Sequence, residues 1–258
     1  MGLFDKIFEK KICAICGGEI GLLGNKKLED GNMCKNCAAK LSPWFSDRRN
    51  GTVEEIKQQL EYREANQLEV EKFNTTMTLG EGTKVYIDED ARKFIVTSNR
   101  NFKEANPDVI PFSQVTGCDI DVSERHSEEK RKDAEGKMVS YNPPRYKFEY
   151  DFYFEINLNN PYFDNIRFRL NSYSIKTTPD VSVPMSRKPN PKFNAEYREY
   201  EKVGEELKAI LLQARQQVRD EAAQAAAPKE KLTCPWCGAT TIPDANGCCE
   251  YCGGSFNG

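Results

Sequence analysis

The sequence predicts an α+β protein, built mainly from antiparallel β-strands, with a small cysteine-rich module at each end. Pairs of cysteines separated by two residues occur near both ends of the 258-residue chain. Between them, several segments alternate apolar and polar residues, which is the pattern of half-buried strands, and a long stretch with helical periodicity follows. Strands and helices that occupy separate parts of a chain are typical of the α+β class.

The composition predicts a soluble protein in a reducing compartment. Charged residues make up 30% of the chain and hydrophobic residues 38%, and no stretch approaches the roughly 20 apolar residues of a membrane-spanning helix. The N-terminal segment lacks the apolar block of a secretory signal, and most of the ten cysteines occur in close pairs. We therefore expect a cytoplasmic location. A net charge of −3 argues against a surface built throughout for nucleic acid.

The first cysteine cluster predicts a metal-binding module over residues 1–46. Its ligands would be Cys13, Cys16, Cys34 and Cys37, two close pairs at the spacing expected of a four-cysteine zinc site. Apolar residues on both sides of a polar turn between the pairs predict a short hairpin that brings the second pair to the first. This arrangement is a zinc ribbon.

The stretch CAICGGEIGLLGNKKLEDGNMCKNCAAKLSPWF resembles an uncharacterised bacterial zinc-ribbon family. Members carry two Cys-x-x-Cys pairs, a Gly-Leu-Leu hairpin between them and a Leu-Ser-Pro-aromatic ending, and the resemblance covers residues 10–46. It implies zinc binding by the four N-terminal cysteines and no catalytic residue. In that family a bacterial pleckstrin-homology-like (PH-like) domain often follows the ribbon, so the resemblance also implies such a domain in the middle of this chain.

The sequence predicts a connecting helix over residues 47–73 and a β domain over residues 74–222. The first stretch is rich in helix formers and contains no proline. The second opens with a hairpin over KVYID and RKFIVTS and continues in VIPFSQVTGCDIDV, where Cys118 shares an apolar face with Ile120 and Val122. We therefore interpret Cys118 as a buried apolar residue and not as a reactive thiol.

The clearest strand pattern is YKFEYDFYFEINL, in which aromatic and aliphatic residues alternate with polar ones from Tyr146 to Leu158. A polar turn leads into the returning strand FDNIRFRLNSYSI, and strict alternation indicates the core face of a sheet in preference to a base-stacking surface. The mixed-charge segment before it, residues 123–137, predicts a solvated hairpin loop. It contains the single histidine, His126, beside which no motif places a nucleophile or carboxylate.

The stretch FNAEYREYEKVGEELKAILLQARQQV predicts an amphipathic helix whose apolar stripe runs from Phe193 to Val218. Six or seven strands followed by such a helix resemble a PH-like barrel capped by its C-terminal helix. A β-sandwich with a packed helix would give a similar pattern. Residues 223–231 predict a linker, and residues 232–258 a second, smaller zinc ribbon.

The second cysteine cluster offers five thiols for four positions. CPWCG supplies Cys234 and Cys237, and GCCEYCGG supplies three more. The form Cys-x-x-Cys-Gly favours Cys249 and Cys252 as ligands and makes Cys248 the spare, although spacing alone leaves the choice between Cys248 and Cys249 open.

The chemistry of four thiolates predicts structural metal ions. Such a ligand set closes the coordination sphere of zinc and leaves no position for a reactive water molecule. We therefore expect two structural zinc ions per chain. Rubredoxin-like iron sites use similar cysteine pairs, so ligand type alone does not separate zinc from iron.

Motifs of enzyme active sites are absent from the sequence. It contains no phosphate-binding glycine-rich loop, no Gly-x-Ser-x-Gly nucleophile motif, no His-Glu-x-x-His metalloprotease motif and none of the protein-kinase motifs. We therefore expect a non-enzymatic adaptor, in which the central β domain binds a protein or peptide partner and the zinc ribbons are docking modules. The sequence identifies neither the partner nor a small-molecule substrate.

Two other binding functions stay open. The N-terminal lead MGLFDKIFEKK could attach the protein to a membrane surface, because Leu3, Phe4, Ile7 and Phe8 could form an apolar side next to lysines. The same lead could instead pack on the adjoining ribbon. Nucleic-acid binding through the ribbons is less favoured, since the chain has no clustered basic stripe.

Overall fold

A computed structural model describes residues 11–21, 23–45, 50–177, 188–226, 231–244 and 246–256. It combines helices with mainly antiparallel sheets, as the sequence predicts. The chain forms two compact units, residues 1–216 and residues 217–258. The finer division into ribbon, connector, β domain and linker stays a prediction. Residues 1–10 of the N-terminal lead, including the apolar residues that would face a membrane, lie outside the described residues.

The first unit opens with two small hairpins and one turn of helix. Strands β1 (Lys11–Ile12) and β2 (Glu19–Ile20) pair on either side of the first cysteine pair. Strands β3 (Asn25–Lys27) and β4 (Asn32–Cys34) form the predicted hairpin that leads to the second pair, and helix α1 (Lys35–Ala38) follows directly.

Helix α2 (Val53–Lys72) connects this module to the β domain. Its start is fixed by a capping box, in which the Thr52 hydroxyl accepts a hydrogen bond from the Glu55 N–H (3.2 Å) and the Glu55 carboxylate accepts one from the Thr52 N–H (2.7 Å). One stripe of the helix is buried. Its members, spaced three or four residues apart, are Ile56, Gln59, Arg63, Asn66 and Val70.

The first sheet contains four antiparallel strands in chain order, and both of its faces are buried. Ile95 and Val109 pack against Val70 and Phe73 at the end of α2, whereas Phe94 is buried on the opposite face. The connecting helix therefore also covers one face of the sheet. The elements are β5 (Met77–Leu79), β6 (Lys84–Asp88), β7 (Lys93–Thr97), the short helix α3 (Phe102–Ala105) and β8 (Val109–Pro111).

The second sheet is built on one long hairpin of β9 (Val115–Lys132) and β10 (Met138–Leu158). Strands β11 (Asn165–Arg169) and β12 (Ile175–Thr177) pair with β10 one after the other, on the side away from β9. The predicted alternation in β10 is confirmed over its second half. The buried members are Tyr150, Phe152, Phe154, Ile156 and Leu158.

The prediction of a loop over residues 123–137 is wrong for most of that segment. Strand β9 continues to Lys132, so only a five-residue turn separates it from β10. Charged residues line this part of the hairpin, and ion pairs across the strands help to hold it, such as Lys147 with Glu129 (3.3 Å). When both faces of a hairpin are exposed to solvent, its strands show no alternation of apolar and polar residues. Such strands cannot be recognised from the sequence pattern.

Helix α4 (Ala195–Ala226) packs on the second sheet. The Tyr197 ring lies edge-on to that of Phe152, with 4.8 Å between centroids, and Leu207 and Leu211 are fully buried. The predicted apolar stripe is shifted at its start, because Phe193 lies in a 3-10 turn before the helix and is 84% exposed.

Among the described residues the strands form separate sheets and no closed barrel. The antiparallel sheets and the final helix of the predicted fold are present. None of the helices in the described ranges is both long and apolar enough to cross a membrane.

The second unit contains the end of α4 and the C-terminal cysteine module. In this module β13 (Leu232–Thr233) and β14 (Thr240–Thr241) pair on either side of Cys234 and Cys237, and a bridge between Cys248 and Ser255 closes the other end.

Candidate metal centres

The four N-terminal cysteines converge on one point. The sulfur atoms of Cys13 and Cys37 lie 3.9 Å apart, as do those of Cys16 and Cys34, and all four lie within 4.8 Å of one another. A tetrahedral zinc ion with Zn–S bonds of about 2.3 Å holds its sulfur ligands about 3.8 Å apart. The cluster therefore has the dimensions of a four-thiolate metal site.

The two halves of this N-terminal centre are built differently. Cys13 and Cys16 occupy a tight turn, in which the Gly17 N–H donates to the Cys13 carbonyl (2.8 Å). Cys34 instead caps helix α1, accepting a hydrogen bond at its sulfur from the Cys37 N–H (3.4 Å). The second cysteine pair thus depends on the start of a helix, which the sequence did not predict.

Electrostatics in the N-terminal centre divide the thiols into two kinds. Burial opposes ionisation of Cys13, but backbone N–H groups of Cys16 and Cys34 outweigh it and lower the pKa of Cys13 to about 6. Burial and the neighbouring thiols raise the pKa of Cys37 above its ordinary value. Four thiolates so close together repel one another, and a bound cation relieves that repulsion.

The C-terminal centre is built from two matching turns. Sulfur separations are 3.6 Å for Cys234 and Cys252 and 3.7 Å for Cys237 and Cys249, again the spacing of ligands around one metal ion. Each turn closes with a hydrogen bond from the glycine that follows its second cysteine to the carbonyl of its first. Gly238 and Gly253 have φ values of 74° and 72°, which a side chain resists.

The structure separates the two adjacent C-terminal cysteines. Cys249 lies in the four-sulfur cluster, and Cys248 lies outside it, with its backbone N–H bonded to Asp244 (2.8 Å). This agrees with the assignment favoured by the Cys-x-x-Cys-Gly form. Cys248 therefore helps to hold the turn before the second cysteine pair.

The C-terminal thiols show the same division as the N-terminal ones. Burial opposes ionisation of Cys234, but backbone N–H groups of Cys237 and Trp236 lower its pKa to about 7. The Gly254 N–H favours the thiolate of Cys252, but the thiols around it raise its pKa to about 12. The Trp236 ring closes one side of the module by packing on Gly254 and donating to the Ser255 carbonyl (3.0 Å).

All ten cysteines are free thiols, so neither cluster is a disulfide framework. Each cluster offers a metal ion four sulfur ligands, enough to fill a tetrahedral coordination sphere. The two remaining sequence candidates lie elsewhere. Cys118 is buried, and burial raises its pKa to about 12, in keeping with an unreactive residue. His126 is exposed on β9, with Tyr146 and Phe148 as ring neighbours.

Sequence reasoning missed a buried polar cluster beside the N-terminal centre. Asp108 accepts hydrogen bonds from the Ser42 hydroxyl and from Arg63, both at 2.8 Å. Asn66 bonds in the same region to the carbonyl of Pro107 (2.7 Å) and the N–H of Val109 (2.8 Å). The signal was a run of polar residues at helical spacing between the apolar residues of α2.

Comparison with known proteins places a family match on the N-terminal region alone. A family model described as a domain of unknown function (DUF4428) matches residues 11–59, which span the N-terminal centre and the first part of α2. No curated protein and no solved structure matches the chain significantly.

Proposed function

We propose that this protein is a cytoplasmic, non-enzymatic adaptor that carries two structural zinc ions and binds a protein or peptide through its central β domain. The metal part of the proposal is supported by the two four-sulfur clusters. Zinc is favoured over iron because it is the common metal of closed four-cysteine sites that only stabilise a fold.

The central domain is proposed to be PH-like. A four-stranded antiparallel sheet is followed by a second antiparallel sheet and then by a helix that packs on it, in the order of strands and helix that the family resemblance implied. The closed barrel is not needed for this proposal, because the binding element argued below belongs to the second sheet alone.

The observation that carries partner binding is the free edge of β9. In the described part of the chain, β9 pairs with β10 on one side only. It has 18 residues, whereas the other edge strands of the two four-stranded sheets have three to five. Helix α4 lies alongside it, with Lys208 bonded to Asp119 (3.4 Å). An extended peptide could add to this edge and gain several main-chain hydrogen bonds.

Site-specific cross-linking tests this proposal. A photo-reactive amino acid is placed at Asp119 on β9 and, as the matched control, at exposed Thr78 on β5, and the full-length zinc-loaded protein is captured from cell extract under mild conditions. We expect a specific partner to cross-link through position 119 and not through position 78. Cross-linking at position 78 alone, or no specific partner in either case, would contradict the proposal.

A further inference from the structure

The core of the N-terminal metal module and the core of the first sheet share helix α2. At the start of the helix, Ile56 is buried in the same cluster as Cys13 and Cys37. At its end, Val70 is buried with Ile95 of β7. The family match ends at residue 59, so the region that it covers includes the contribution of α2 to the cysteine core.

Between these two apolar ends, a polar joint binds the module to the β domain. We define it as Ser42, Arg63 and Asp108. Arg63 donates to Asp108 (2.8 Å), to the Lys40 carbonyl (3.3 Å) and to the Asn106 carbonyl. The side chains of Arg63 and Asp108 are only 7% and 0% exposed. Because water does not reach these two charges, their hydrogen bonds must come from each other and from neighbouring protein groups.

The joint depends on the metal-binding turn. The Lys40 N–H donates to the carbonyl of Cys37, the last N-terminal ligand, at 3.1 Å, so the turn that carries this ligand leads directly into residues 40–42. Lys40 and Ser42 then supply two of the contacts to Arg63 and Asp108. Asp108 in turn directly precedes strand β8.

We propose that metal binding at the N-terminal centre and the order of β8 are thermodynamically coupled through the polar joint, which makes the first sheet responsive to metal. Loss of the ion would release Cys34 and Cys37, displace residues 40–42, and so remove the Lys40 carbonyl from Arg63 and the Ser42 hydroxyl from Asp108. By reciprocity, disorder of β8 must weaken metal binding, so damage to the joint is expected to weaken it as well. The coupling goes beyond the adaptor function and does not require it.

Hydrogen exchange on the full-length zinc-loaded chain tests the first direction. Cys16→Ser removes an N-terminal ligand, and Cys237→Ser, in the other compact unit, is the matched control. We expect amide exchange in residues 106–111 to rise at least about tenfold in C16S and to stay at the wild-type rate in C237S. If C16S loses one equivalent of zinc and these amides exchange as in wild type, the coupling does not exist.

The reverse direction keeps the proposal falsifiable even if C16S unfolds more widely. Ser42→Ala and Asp108→Asn leave all cysteines in place, and Ser98→Ala is an exposed control. Zinc affinity of the N-terminal centre is measured by chelator competition in the C237S background. We expect S42A and D108N to bind zinc at least about fivefold more weakly, with S98A unchanged. Affinities of S42A and D108N within about twofold of the reference would overturn the proposal.

Discussion

Gly204 of α4 lies so close to Ile120 of β9 that a Cβ at position 204 would sit 2.8 Å from Cδ1 of Ile120. No ordinary side-chain contact is that short, and Cγ1 of Ile120 would lie at 3.1 Å, so a methyl group at position 204 would require the Ile120 side chain to shift. The glycine lies in the interior of a helix, where alanine would otherwise be favoured by about 1 kcal/mol.

Gly204→Ala is therefore expected to destabilise the protein by up to about 2 kcal/mol, because overpacking costs about 1–3 kcal/mol and the gain in helix propensity returns only about 1 kcal/mol. Urea unfolding measures the change. Gln213→Ala, at an exposed position of the same helix, is expected to change stability by less than about 0.5 kcal/mol. Ile120→Val should recover part of the loss in the double variant. A G204A protein as stable as wild type would show that the helix does not pack this closely.

The metal content of the chain gives a second prediction. Elemental analysis of protein purified under reducing conditions should find two zinc ions per chain, and one in Cys16→Ser or Cys237→Ser, because each cluster needs all four ligands. Cys248→Ser should keep both ions, since its sulfur lies outside the cluster. Loss of one ion in C248S with full retention in Cys249→Ser would reverse the assignment of the fourth ligand.

The pH dependence of stability tests the packing of α4 through the phenol group of Tyr200. Burial and a hydrogen bond to Glu81 raise the pKa of Tyr200 to about 12. A raised pKa means that the folded state holds the phenolic proton more tightly than the unfolded state. The stability due to this proton is thus fully present below the ordinary tyrosine pKa of about 10 and is lost as the pH rises through about 12.

Tyr200→Phe is accordingly expected to be less sensitive to alkaline pH than wild type between about pH 10 and 12, although it loses a hydrogen bond at neutral pH. Absorbance of tyrosinate during titration should show one late-ionising group fewer in the variant. Tyr173→Phe, which alters an 86% exposed ring, is the matched control for the loss of one phenol group. Equal late-ionising populations in Y200F and wild type would contradict the burial of Tyr200.

The parts of the fold that the sequence predicted are those that short-range patterns determine. The spacing of Cys13 and Cys16 defines a metal-binding turn within four residues, and the alternation from Tyr150 to Leu158 defines a buried strand face. The polar joint could not be predicted, because Ser42, Arg63 and Asp108 are far apart in the chain and each, alone, has the character of a surface residue. Their burial follows from packing of α2 between two cores.

Gln59 offers the last test of that packing. Its side chain is fully buried in the α2 stripe between Ile56 and Arg63, and neither its amide oxygen nor its amide nitrogen has a hydrogen-bond partner among the described residues. A buried amide without partners costs about 1–3 kcal/mol. Gln59→Met keeps nearly the same length and shape while removing both polar atoms, so we expect it to stabilise the protein by about 1–2 kcal/mol in urea unfolding.

The matched control is Gln58→Met at the neighbouring exposed position, which should change stability by less than about 0.5 kcal/mol. Destabilisation by Q59M would mean that the amide is satisfied, for example by a buried water molecule, and that the middle of α2 is hydrated where it meets the two cores.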